Sequence, residues 1–248
     1  MNFKRFLRKL YSGLQIVQTK VQPSWAQAGE DLIIKYLLHC LDIKKPTYLD
    51  IGTNHPIVGN NTYYFYLYKG FKGVCIEPNV AFEVPIRKHR KRDILLVAGV
   101  GTGTQTEGDF YAFPKKYSSW NTFSLEDAEA RKLETNIPYT IVPKLPLVNI
   151  NDVMAKYFDS HPNIISLDVE GHDLAILKSI DFKKHKPEII CVESITFSAN
   201  NKGYKVNDIS DFMTSMGYFV FADTRINSIF CRNDAFEEAQ KTAHILMH

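Results

Sequence analysis

Three acidic blocks carry the chemistry legible in this sequence. The stretch Tyr48-Leu49-Asp50-Ile51-Gly52-Thr53-Asn54 reads as an apolar strand ending in a carboxylate and a glycine at the onset of a loop. In open α/β sheets, ligands sit beyond the carboxyl ends of the strands, and glycine there lets ligand and backbone approach without an intervening Cβ. A second stretch, Gly73-Val74-Cys75-Ile76-Glu77-Pro78-Asn79, ends in Glu77 roughly one βαβ unit later, the distance at which a ribose-binding carboxylate is expected. The third, Leu167-Asp168-Val169-Glu170-Gly171-His172-Asp173, sets two carboxylates at alternate spacing at a strand end with an imidazole beside them. Like-charge crowding raises a carboxylate's pKa toward that of a useful base, so Asp168, Glu170 and His172 are the candidate catalytic groups. The competing role for Asp50 is a turn former; for Glu170 and Asp173 it is capping of the next helix. Glu193, at a later strand end, joins the set, and Asp168, Glu170 and Glu193 together offer the hard oxygen ligands that suit magnesium. His55, His161, His185, His244 and His248 show no regular ligand spacing.

These groups need strands and helices to position them, and the rest of the chain supplies the alternation. Helical spacing of Leu32, Ile33, Tyr36, Leu37 and Cys40 stops at Lys44-Lys45-Pro46. Strand one at 47–51, a helix at 60–69 capped by Asn61 or Thr62, strand two at 73–77, a helix at 81–89 and strand three at 94–99 give βαβαβ. Residues 105–147 break the rhythm with two extended stretches around a charged helix at 125–134, and they read as an inserted lid or hairpin region. Alternation resumes with a helix at 151–157, strand four at 164–169, a helix at 175–180, strand five at 188–193 and a helix at 206–216. Strands at 218–222 and 228–232 form a hairpin that closes a mostly parallel sheet with an antiparallel strand. The aromatic run Tyr63-Tyr64-Phe65-Tyr66 is expected to pack inward.

Composition narrows the class. With 248 residues, 45% hydrophobic, the chain can bury a full α/β core, expected as a single domain over 25–248. The net charge of +3 gives no argument for a nucleic-acid partner. Cys40, Cys75, Cys191 and Cys231 form no CxxC pair, which suggests neither a disulfide framework nor zinc and fits a reducing cytoplasm. No run reaches the ~20 apolar residues of a membrane span, and no secretory signal is recognised. The segment 1–24 is expected to hold a basic amphipathic helix over 1–18, with Lys4, Arg5, Arg8 and Lys9 among Phe3, Phe6, Leu7 and Leu10. Such a helix either packs on its own domain or lies peripherally on the inner face of an anionic membrane.

Asp50-Ile-Gly-Thr-Asn54, Ile76-Glu-Pro78 and above all Leu167 to Asp173 resemble the signature blocks of the FkbM-type family, a branch of the class I S-adenosylmethionine-dependent methyltransferases. The Gln27-Ala-Gly-Glu-Asp31 block resembles a segment of many members, and the likeness covers roughly 25–225. It implies a Rossmann-like seven-stranded sheet, mostly parallel, with helices on both faces and an antiparallel last strand. It also implies S-adenosylmethionine as cofactor, bound by Asp50, Gly52, Asn54, Glu77, Pro78, Gly99, Val100 and Asp168, with Gly99 and Val100 beside the adenine. The usual glycine-rich turn has a second glycine where this chain has Asn54, and His55-Pro56 follow it. Relatives methylate hydroxyls of natural products and surface sugars, so the expected acceptor is a hydroxyl of a saccharide, glycolipid or other small molecule. Ser118-Ser119-Trp120-Asn121 in the insertion would close over it.

Two other classes remain to be weighed. A nicotinamide-dependent oxidoreductase would need a GxGxxG turn after strand one, which is missing. A non-catalytic or membrane-associated binding protein on the same fold would have no need of carboxylates at four strand-end positions.

Overall fold

The computed structural model describes residues 22–68, 71–197 and 203–245. The amphipathic segment 1–18 lies outside them. Among the described residues, the chain runs α1 (Glu30–Cys40), β1 (Thr47–Ile51), α2 (Tyr63–Tyr66), β2 (Lys72–Ile76), α3 (Glu83–His89), β3 (Ile94–Leu96), β4 (Gly99–Gly101), β5 (Glu107–Ala112). It continues through α4 (Leu125–Thr135), β6 (Thr140–Asn149), α5 (Ile150–Tyr157), β7 (Ile164–Leu167), α6 (Asp173–Ser179), β8 (Ile189–Glu193), α7 (Asn207–Ser215), β9 (Tyr218–Asp223), β10 (Asn227–Arg232) and α8 (Asn233–Ile245).

Seven strands form one sheet in the order β3-β2-β1-β7-β8-β10-β9. The first five are mutually parallel, and β10 is antiparallel to both β8 and β9, so the expected Rossmann-like sheet with an antiparallel last strand is what the chain forms. β7 is buried at every position and apolar except at Ser166, because helices cover both faces. Chain order reverses on either side of β1, which puts the topological switch point between β1 and β7.

Side-chain alternation divides the core. Leu49, Ile51, Ile165, Leu167, Ile190 and Val192 face the layer of α5, α6 and α7. Tyr48, Ile164, Ile189 and Ile229 face Ile34 and Leu37 of α1 and Phe65 of α2. On this second face the same alternation leads from Tyr48 to Asp50, from Ile164 to Ser166 and from Ile189 to Cys191 and Glu193, so it turns polar toward the carboxyl ends.

Three local expectations need correction. The strand expected over 94–99 splits: β3 stays in the main sheet, while β4 leaves it to pair in parallel with β6 in a separate sheet, β4-β6-β5. Gly99 makes the departure feasible, since a Cβ there would lie 2.4 Å from the Phe123 ring. The helix expected over 60–69 is only the four residues of α2; Thr62, one of the two expected candidates, is its N-cap residue but makes no side-chain capping bond, and Asn60 Oδ1 accepts from the amides of Thr62 and Tyr63. The hydroxyl of Thr62 instead donates to Asp50. The helix expected over 81–89 begins as a 3-10 turn, Val80–Phe82, before α3. The inserted stretch pairs β5 antiparallel to β6 with α4 between them, and α8 was not foreseen.

Candidate active site

A cleft of about 750 Å³ opens at the carboxyl ends of β1, β2 and β7, roofed by the β4-β6-β5 segment. Asp50, Gly52, Asn54, Glu77, Pro78, Gly99, Val100, Asp168, Glu170 and His172 all border it, so the structure brings every sequence-designated catalytic and cofactor residue to one place. Glu193 is not among the lining residues, yet a carboxylate oxygen of Asp168, Glu170 and Glu193 each lies within 4.8 Å of the others.

At the floor, the turn after β1 is locked to the end of β2. The amides of Gly52 and Thr53 both donate to the Ile76 carbonyl. Glu77 Oε2 accepts from the Asn54 amide at 2.7 Å and Oε1 from the Asn79 amide at 2.8 Å. Each carboxylate oxygen therefore has one backbone donor and a further lone pair. Burial pushes the Glu77 carboxyl up to about 7, opposed by those two amides. Asn54 stands where a glycine is usual, and its φ of +49° explains the exchange: asparagine is a non-glycine residue that tolerates the left-handed region. Gly52, at φ +77°, is required for a reason the sequence did not suggest. A Cβ there would sit 1.8 Å from the Asp168 carbonyl oxygen, so the glycine admits the neighbouring strand end rather than a ligand.

Asp50 faces the cleft's inner wall and is tied down. Its Oδ2 accepts from Thr62 Oγ1 at 2.8 Å and Asn60 Nδ2 at 3.1 Å, with Arg90 Nη1 at 3.6 Å. Arg90 is fully buried: it donates to Asn60, Thr62 and Asp93, and the Tyr48 hydroxyl also donates to Asp93. Burial raises the Asp50 pKa, and Arg90, Asn60 and Thr62 oppose the rise. The network around Asn60, Thr62 and Arg90 was missed from sequence; Arg90 lies in the basic run 87–92, which reads as a solvated face.

Opposite lies the turn after β7. Asp173, the first residue of α6, ties it down, Oδ1 accepting from the Val169 amide and Oδ2 from the Gly171 amide; it braces the turn and does not cap the helix that follows, whose N-cap is His172 with no side-chain bond. Glu170 has no such role. Its φ is +57°, and its carboxylate lies 4.0 Å from Arg131 Nη2. Burial and then repulsion from Asp173 and Asp50 push Asp168 up to about 7. Glu170 and Glu193 are raised well above the ordinary carboxylate range, by burial first and then by Asp168. The Nε2 atom of His172 is buried without a hydrogen-bond partner among the described residues. The cleft thus carries one amide-bonded carboxylate, Glu77, and a crowded set of carboxylates at the turn after β7.

The profile of the family described as "Methyltransferase FkbM domain" matches residues 50–220, which take in Asp50, Glu77 and the whole 168–173 turn. The chain belongs to the FkbM methyltransferase family. Among curated proteins no sequence matches significantly. Solved structures that resemble this FkbM-family fold include a TehB-like SAM-dependent methyltransferase from Corynebacterium glutamicum, 8% identical with a TM-score of 0.42 over 93% of this chain and 100% of that one. An O-methyltransferase from Bacillus cereus in complex with SAH is 12% identical, TM-score 0.39, covering 89% of this chain and 87% of that one. A 1,6-didemethyltoxoflavin-N1-methyltransferase from Burkholderia thailandensis is 7% identical, TM-score 0.39, over 92% of this chain and 87% of that one. These likenesses are distant, and membership in the FkbM family rests on the sequence match.

Lys116, Ser118, Ser119 and Asn121 of the insertion line the cleft, whereas Trp120 packs behind them, stacked on Tyr117 at 4.4 Å between ring centroids. Gln27, in the segment before α1, borders the cleft from the other side. Glu77 retains acceptor capacity on both oxygens, which is what the two hydroxyl donors of a ribose diol would need.

Proposed function

We propose that this FkbM-family protein transfers a methyl group from S-adenosylmethionine to a hydroxyl of a saccharide, glycolipid or other small molecule. The observation that carries the reading is Glu77, whose two carboxylate oxygens are aimed by the amides of Asn54 and Asn79 across one cleft from Asp168 and Glu170. When bound, S-adenosylmethionine supplies a methyl group on a sulfonium that departs as a neutral thioether.

The protein's part is alignment and proton removal. Glu77 accepts the ribose hydroxyls, and the backbone at Gly99 and Val100 flanks the base. Asp50 acts at one remove, holding the turn through Thr62 and Asn60. Asp168 or Glu170, with His172 beside them, takes the proton from the acceptor hydroxyl. A carboxylate whose pKa lies near 7, as for Asp168, is matched to that task at neutral pH. Ser118, Ser119 and Asn121 supply hydroxyl and amide groups of the kind that recognise sugars.

A second reading has its own support. Asp168, Glu170 and Glu193 converge within 4.8 Å, and Arg131 only partly offsets their charge, so a magnesium ion held there would relieve their repulsion and polarise the acceptor hydroxyl. Residues 1–18 carry the proposal of a peripheral membrane contact, checked by co-sedimentation with anionic vesicles before and after their removal. Among the described residues, no helix is long and apolar enough to cross a membrane.

The test is methyl transfer from radiolabelled S-adenosylmethionine to a panel of saccharides, glycolipids, phenols and amines, with EDTA or added magnesium. Labelled hydroxyl products support the reading. Transfer confined to amines, or no binding of the donor, removes it; transfer abolished by EDTA and restored by magnesium selects the metal version.

A further inference from the structure

Arg131 joins three separate segments at one buried point. Although it sits in a charged helix, it is 2% exposed. Its Nη1 donates to the Trp120 carbonyl and its Nη2 to the Glu170 carbonyl, both at 2.6 Å. The guanidinium lies 4.8 Å from the centroid of the Phe197 ring, and Trp120 meets that ring edge-on at 5.4 Å. Trp120 belongs to the segment whose Lys116, Ser118, Ser119 and Asn121 line the cleft, and Glu170 to the turn after β7. The helix bears on that turn directly, for a Cβ on Gly171 would lie 2.9 Å from Asp127 Oδ2. Glu170 holds a left-handed backbone, φ +57°, which is unfavourable for a non-glycine residue and persists only where its surroundings impose it.

We propose that Arg131 is a positioning residue, a latch that registers the 116–121 wall of the cleft against the Glu170 carboxylate so that an acceptor held on the wall meets the base at a fixed distance. The chemistry favours arginine: a planar fork serves two carbonyls at once while its face lies on an aromatic ring, and a lysine ammonium does neither. Its charge, removed from water, is set against the carboxylates, while its position is set by the two carbonyls. The proposal rests on reading Glu170 as a proton acceptor, but the latch itself is measurable without any ligand.

The chain has two tryptophans, Trp25 and Trp120, so Trp25→Phe leaves Trp120 as sole reporter. In that background, Arg131→Gln and Arg131→Lys are compared by acrylamide quenching of Trp120 and by the backbone carbonyl carbon-13 shifts of Trp120 and Glu170 at one fixed pH. In Arg131→Gln the quenching constant should rise about twofold or more and both carbonyl resonances should move, because the guanidinium that donates to both is gone. In Arg131→Lys at most one of the two carbonyl shifts should return toward the parent value, since an ammonium does not fork to both, while Trp120 stays more quenchable. An unchanged quenching constant, or a shift of one signal without the other, in Arg131→Gln overturns the latch. If Arg131→Gln shows no cooperative melting, Arg131→Lys is read against the parent, and parent-like quenching overturns the latch. Failure of S-adenosylmethionine to bind the parent protein would remove the cofactor reading and leave both ligand-free signals standing.

Discussion

The Asn54 amide donates to Glu77 Oε2 at 2.7 Å, so the turn after β1 and the carboxylate after β2 form one rigid unit at the floor of the cleft. The bond depends on Asn54 holding φ at +49°, which aims its amide at the neighbouring strand end. Replacing Asn54 by Gly should leave stability and cofactor affinity near the parent values, whereas Asn54→Ala should cost about 1 kcal/mol of stability and weaken binding. Urea unfolding with calorimetric titration of both variants checks this, and equal behaviour of Ala and Gly would refute it.

Glu77 accepts hydroxyl donors best when ionised, and burial holds it near 7. Affinity for S-adenosylmethionine should therefore fall as pH drops below about 7, approaching tenfold per unit, and Glu77→Gln should bind weakly with a flat profile. The same shift acts on folding. Glu77 and Asp168 titrate near 7 when folded and near 4 when unfolded, so between those values the native state binds more protons. The ligand-free protein should lose stability as pH rises from about 4 to 7, with Tm falling by several degrees. A Tm that rises over that interval would contradict it.

Asp168 and Glu170, on the turn after β7, are the bases proposed for the acceptor hydroxyl. Asp168→Asn and Glu170→Gln should keep cofactor affinity, and at least one should lose turnover by about 10²- to 10⁴-fold, the range for a general base. In the parent, turnover should rise with pH toward neutrality as the carboxylates release protons. Unchanged turnover in both variants places the base elsewhere, with His172 the next candidate.

Arg90 is the buried counter-ion of Asp50 and Asp93, bonded to the latter at 2.6 Å. Arg90→Met strands two buried carboxylates and should cost about 3–5 kcal/mol. Adding Asp93→Asn should recover part of that in chemical denaturation; a double variant no better than the single one would show that the pair is not the source.

Much of this was legible in the residues. Parallel strands buried on both faces must be apolar runs, and three of them end in the carboxylates Asp50, Glu77 and Asp168, so both sheet and cleft could be read. What escaped were residues whose role comes from partners distant in sequence. Arg90 and Arg131 lie in charged stretches that have the pattern of solvated faces, and only the fold shows them buried. Thr62 stands at the N-cap of α2, but its hydroxyl goes to Asp50, and it is Asn60 whose side chain takes the Thr62 and Tyr63 amides. β6 runs ten residues past two prolines, Pro143 and Pro146, which strand patterning disfavours, and it survives as a partner to two short strands.

Calorimetric titration of the full chain with S-adenosylmethionine and, separately, NAD tests the central claim most directly. The site described here predicts binding of S-adenosylmethionine, a large loss of affinity in Glu77→Ala, and no measurable heat with NAD. Binding of NAD with indifference to S-adenosylmethionine, or a Glu77→Ala variant that binds the methyl donor as the parent does, would contradict it.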